Sequence, residues 1–190
     1  MHLITLLVSF VYFTTVLGAP SLFRRATACF VIGSTTLPAE VQDTVNSIQS
    51  IITCDSSKTT ISGVPDVSSG GISFSSIDFS QSSQTPLNFA LTTFATATPL
   101  ASSNLTLFQN QLNTYLATEA GIRSVGGNLA VKLPKFFLSF QISRILTAQG
   151  TAITNPGQTV QHLLGKVIKN AGSESQATKD KVMALANELS

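Results

Sequence analysis

Tryptophan is absent from the 190 residues, and cysteine, histidine, tyrosine and methionine occur twice each. Charge is equally sparse, at 11% of residues, with 11 Lys plus Arg against 9 Asp plus Glu. Arg24 and Arg25 lie in a segment expected to be removed, which leaves nine cations against nine anions in the mature chain. A clustered basic excess is what nucleic-acid binding or adhesion to an acidic membrane requires, so neutrality excludes both as the main activity. Chemical motifs are missing too. No G-x-S-x-G elbow, P-loop, G-x-G-x-x-G or H-E-x-x-H occurs, so the common hydrolase, nucleotide and zinc routes have no sequence support. No cofactor and no metal is expected.

What is present begins with targeting. Residues 3–17 (LITLLVSFVYFTTVL) form an apolar run followed by Gly18. About 15 apolar residues fall short of the roughly 20 that span a bilayer, so this reads as a secretory signal peptide over 1–18. Residues 19–25 (APSLFRR) follow as a propeptide ending in the paired-basic site Arg24-Arg25, and 26–190 is the expected single secreted domain. The richest later stretch, Leu133 to Leu146, is interrupted by Lys135, Gln141 and Arg144, so nothing beyond the leader is expected to span a membrane. In an oxidising compartment the even count suggests a disulfide between Cys29 and Cys54. It closes a loop of about 26 residues and constrains the unfolded chain by roughly 3 kcal/mol in the chain-entropy account.

Hydrophobic spacing predicts a mainly α, single-domain bundle of about six helices. Val41, Val45, Ile48 and Ile52 make one stripe, in a helix opened by Pro38. Pro86 opens a short second helix. Leu105, Phe108, Leu112, Tyr115 and Leu116 mark a third, capped by Ser102 or Ser103 and ended by Gly121 or by the Gly126-Gly127 pair. The segment from Pro134 to Gln149 is apolar all round, as a buried central helix is. Val160, Leu163, Leu164, Val167 and Ile168 make an amphipathic fifth helix, and Ser173 with Gln176 reads as a capping box for the last. Residues 55–85 break the pattern as a long Ser/Gly-rich loop with a short β-hairpin at Gly70-Gly71. Ile72 and Phe74 alternate, but Ile77 and Phe79 fall in the other phase, so a regular strand would have to bend between them. These four large apolar residues are the candidate partner-binding edge or lid.

Several stretches, ATACFVIGSTTLPAEV, SGVPDVSSGGISFSSIDFS, FALTTFATATPLA and LATEAGIRSVGGNLAVKLPKFF running on to TAQGT, together resemble an uncharacterised family of small secreted proteins of filamentous fungi. The resemblance implies a candidate effector or extracellular signalling role and assigns no catalytic residue.

Among individual side chains, His162 is the sole histidine of the mature chain, and a helical wheel sets it on the polar face beside Lys166 and Lys169. Glu119 stands out because the wheel puts it within an apolar stripe, where a carboxylate is costly unless paired. Arg123, one turn later, is the local candidate partner and Arg144 the non-local one, as a buried ion pair or the anchor of a pocket. Asn104-Leu105-Thr106 is a glycosylation sequon in a first helical turn. The leading functional reading is a secreted, non-enzymatic protein that binds an extracellular protein, glycan or lipid. Rival readings are a lipid- or hydrophobic-surface-binding bundle of the cell wall and a hydrolase built on acids such as Glu119.

Overall fold

The computed structural model describes residues 28–190. The expected leader, propeptide and Arg24-Arg25 site lie outside the described residues. Within them the fold is mainly α, with six helices and one small antiparallel sheet: α1 (Ala39–Ile48), β1 (Thr53–Thr59), β2 (Pro65–Ser69), β3 (Ile72–Ser73), α2 (Pro86–Thr93), α3 (Leu105–Ser124), α4 (Lys132–Ala148), α5 (Val160–Asn170) and α6 (Gln176–Leu185).

The 20-residue helix α3 is the dividing wall. It packs on α1 and β2 on one side and on α4 on the other, while α4 also carries α2 and α5. The central role of α4 follows from its sequence: Leu133, Phe137, Leu138, Phe140 and Ile145 are all buried, and they point to more than one side of the helix. On α5 a narrower stripe of Val160, Leu163 and Val167 is buried and the opposite face is open. One continuous cluster joins these residues to Phe30, Val45, Val67, Phe74, Leu87, Phe94, Tyr115 and Val182.

Caps refine the expected boundaries. Asn104, not Ser102 or Ser103, caps α3, its side-chain oxygen accepting from the Leu107 N–H at 3.1 Å. Ser175, not Ser173, caps α6 by accepting from the Thr178 N–H. Of the two proposed ends for α3, the glycine pair is correct, with Gly126 at φ 69° just past the helix. Gly121 lies inside the helix for another reason: a Cβ there would stand 2.6 Å from the Phe30 carbonyl oxygen and 2.7 Å from Val64. The N-terminal segment lies that close, and it is fastened twice. Ser124 accepts from the Ile32 and Gly33 N–H groups through its hydroxyl and from Thr35 through its carbonyl, and Cys29 is disulfide-bonded to Cys54.

The Ser/Gly-rich region is ordered into a three-stranded sheet, β1-β2-β3, rather than a loop with a lone hairpin. Gly70 and Gly71, at φ 54° and 83°, form the β2–β3 turn, as two-residue hairpins require. Cys54 pairs with Val67 and Asp55 with Asp66 before the β1–β2 register shifts. Beyond β3 the chain turns inward through two 3-10 turns, Phe74–Ile77 and Phe79–Gln81. This explains the phase slip: Phe74 and Ile77, three residues apart, share one face of a three-residue-per-turn helix.

Candidate functional site

The candidate binding edge faces inward. Phe74, Ile77 and Phe79 are core residues, and Ile72 is half-buried against the same cluster. Tyr115 fixes them from α3. Its ring stands edge-on to Phe74, with centroids 5.1 Å apart, and its hydroxyl donates to the Ile77 carbonyl at 2.7 Å. A partner could reach these side chains only by unpacking the core.

Glu119 behaves as an ion-pair centre, with a partner that the sequence reading did not name. It is 3% exposed. One oxygen, Oε1, accepts from Arg123 Nη2 at 2.8 Å and Nε at 2.9 Å; the other, Oε2, meets Lys135 Nζ at 2.5 Å. Lys135 comes from α4, and its ammonium lies 4.3 Å from the centroid of the Phe136 ring. Burial pulls the Lys135 ammonium below its ordinary pKa, an effect that the adjacent Glu119 carboxylate opposes. Two cations for one carboxylate is what makes its burial tolerable.

Arg144, the expected non-local partner, does not meet Glu119. Its Nε donates to the Leu185 carbonyl and its Nη2 to the Glu188 carbonyl, both at 2.7 Å, and Nη1 donates to Gln141 Oε1 at 2.6 Å. These carbonyls lie at and beyond the C-terminal end of α6, where helical donors run out; the Leu185 carbonyl also accepts from the Glu188 N–H at 3.2 Å. Arg144 is therefore a buried cap that ties α4 to the last helix.

Around the Glu119 centre opens a cleft of about 360 Å³, lined by side chains of α1, α3, α4 and α5. Its apolar wall is Val41, Leu116 and Phe136. Its charged groups are Arg123, Lys132, Lys135 and Lys166 against Glu40 and Glu119. Four of the nine cations that follow residue 25 thus converge on one cleft, although those nine are matched by nine anions over the same residues. Lys132 and Lys135 also sit in the first turn of α4, which holds no acidic residue. A helix N-terminus is its positive end, so cations there are locally unfavourable. Sequence reasoning missed Lys132, Lys135 and Lys166 because they lie on helices far from Glu119 in the chain. The one available signal was Lys135 itself, a charge interrupting the apolar run of α4.

His162 is exposed, as expected from its polar face. Asn104 is exposed, and its oxygen makes the α3 cap. No group of three metal-ligating side chains converges among the described residues, and no described helix is long and apolar enough to cross a membrane.

Fold and cleft together define a mainly α, disulfide-tied domain with one cationic, partly apolar recess. The chain belongs to a family described as Domain of unknown function (DUF7143), whose model matches residues 31–190. No curated protein and no solved structure matches it.

Proposed function

We propose that this is a secreted, non-enzymatic protein that acts outside the cell by binding, as an effector or surface-associated signal of the kind implied by its resemblance to small secreted fungal proteins. The observation that carries the reading is the state of Glu119. Both oxygens of the buried Glu119 carboxylate in the cationic recess are committed to cations, so it is poorly placed to shuttle a proton or attack a substrate. The apolar leader and the Cys29–Cys54 bond support an oxidising, extracellular setting. The lipid-carrier alternative has weaker support, because the apolar surplus is spent on one packed cluster.

The test is N-terminal sequencing and intact mass of the protein recovered from culture medium, with ester and glycoside turnover assays on the same sample. The expected product starts at Ala26, is lighter by two thiol hydrogens, and turns over no substrate. Retention inside the cell, or a turnover abolished by Glu119→Ala, would overturn the reading.

A further inference from the structure

The cleft holds more positive charge than its own carboxylates neutralise. Glu119 is consumed internally, and Glu40 at the rim offsets one further cation, which leaves an excess of two. The donors are not exhausted. Arg123 spends Nε and Nη2 on one Glu119 oxygen, while Nη1 makes no hydrogen bond within the described residues. A guanidinium has five N–H donors and an ammonium three, and the Lys135 ammonium has Glu119 Oε2 as its one acceptor among the described residues. Two of these cations crowd the positive end of α4 with no acid in that turn. Such a local conflict is the kind that a chain retains at a binding site.

From this we propose that the cleft binds a small organic anion. Arg123, Lys132 and Lys135 hold its carboxylate, and Val41, Leu116 and Phe136 receive its apolar body. Guanidinium with ammonium suits a carboxylate as a charge-assisted, two-point acceptor. A recess of about 360 Å³ falls within the range of small-molecule sites. The adjoining Phe136 ring and the Val41 and Leu116 side chains offer the ligand more than charge. Recognition of this kind differs from sheltering a long lipid chain, for which a recess of this size, opening between polar helix faces, is poorly suited.

The proposal rests on the binding reading above but can fail separately, since that reading is judged by location and turnover. The probes are phenylacetate, its neutral amide phenylacetamide, and inorganic phosphate, titrated calorimetrically into the full secreted chain. Phenylacetate is expected to bind at least roughly tenfold more tightly than either of the others. Lys135→Gln and Arg123→Gln should each weaken it roughly tenfold, whereas Lys169→Gln, outside the recess on the same helix as Lys166, should leave it unchanged. Glu40→Gln should tighten binding by about twofold, through removal of a repulsion at the rim. That gain is a readout that a purely structural role for the cluster does not move. Because Lys135→Gln disturbs a buried pair, Lys132→Gln and amide shifts at Val41, Leu116 and Phe136 in the unmutated protein give an independent answer. Equal affinity for acid and amide, or no binding of phenylacetate at millimolar concentration, would overturn the proposal. Phosphate binding as tightly as phenylacetate would overturn the apolar half of it.

Discussion

Arg144, which is buried, and the half-buried Arg123–Lys135 pair are both cationic centres on the central helices, yet they are used in opposite ways. Arg144, 2% exposed, is enclosed by acceptors that belong to the backbone: the carbonyls of Leu185 and Glu188, with Gln141 completing the set and itself donating to the Phe94 carbonyl. All three of its nitrogens are engaged, and what it joins are pieces of fold: α4, the end of α6 and the turn after α2. Arg123 and Lys135 share one carboxylate and open onto a recess. The contrast teaches that burial of a charge does not by itself indicate function. What separates a folding device from a binding device is whether its hydrogen-bond capacity is closed by the protein or left facing a space.

The largest effect that can test this distinction is on stability. Arg144→Met leaves the Glu188 carbonyl and the Gln141 amide oxygen without their guanidinium donor and the Leu185 carbonyl with the Glu188 N–H alone, and the loss of three charge-assisted hydrogen bonds is expected to cost about 3 kcal/mol. Arg123→Met leaves Glu119 still paired with Lys135 and is partly solvent-screened, so about 1 kcal/mol is expected. Urea denaturation of the two variants measures the difference. Equal losses would erase the contrast.

Alkaline pH sets the sealed Tyr115 hydroxyl beside the paired Lys135 ammonium, whose protons both bear on stability. Burial first, and the Asp78 charge second, push the Tyr115 hydroxyl far above the ordinary tyrosine range. In the unfolded chain it ionises near pH 10. A raised folded value means that its contribution is fully present below about pH 10 and is lost as pH rises beyond it, at about 1.4 kcal/mol per unit. Lys135 has the opposite sign. Burial lowers its folded value, so the protonated ammonium costs stability at neutral pH, and that cost is relieved as pH approaches the unfolded lysine value of about 10.4. Urea titrations between about pH 9 and 12 should therefore show a steep alkaline loss that Tyr115→Phe flattens. Tyr115 is the single tyrosine after residue 25, so tyrosinate absorbance should rise together with unfolding and not before it. Absorbance that rises while the fold is intact would show that the sealed side is open to solvent.

The sequence pattern was most informative where burial follows one helical period. The stripe of α5 is visible because one face carries its buried apolar residues, the first half of α3 shows a stripe before the helix becomes buried all round from Ala117 to Ile122, and the Glu119–Arg123 pair is visible because it is a local, one-turn relation. The β1 strand was hidden for the converse reason. Its sequence TCDSSKT lies mostly exposed along one edge of the sheet, so it has no alternation to read. The inward fold of Phe74, Ile77 and Phe79 was masked by a period of three that matches neither strand nor α-helix. Arg144 was assigned to the wrong partner because its acceptors are backbone carbonyls 41 and 44 residues away, and carbonyls carry no sequence identity. The cleft could not be assembled in advance, as it needs four helices that meet only in the folded chain.

The smallest expected effect is the sharpest discriminator. Lys132 sits at the first position of α4, where a cation opposes the helix dipole. It forms no ion pair with Glu119, whose oxygens are taken by Arg123 and Lys135. Lys132→Ala therefore removes a repulsion from Lys135 and from the helix end, and replaces a good helix former with a better one. Stability should stay level or rise by about 0.3–1 kcal/mol, as read from the urea midpoint. Phenylacetate affinity should fall at the same time, because one of the three cations that face the carboxylate is gone. A variant that is both more stable and weaker in binding would mean that Lys132 is kept at a cost to the fold. A loss of stability larger than about 1 kcal/mol would instead place it with Arg144, as a residue that holds the helices together.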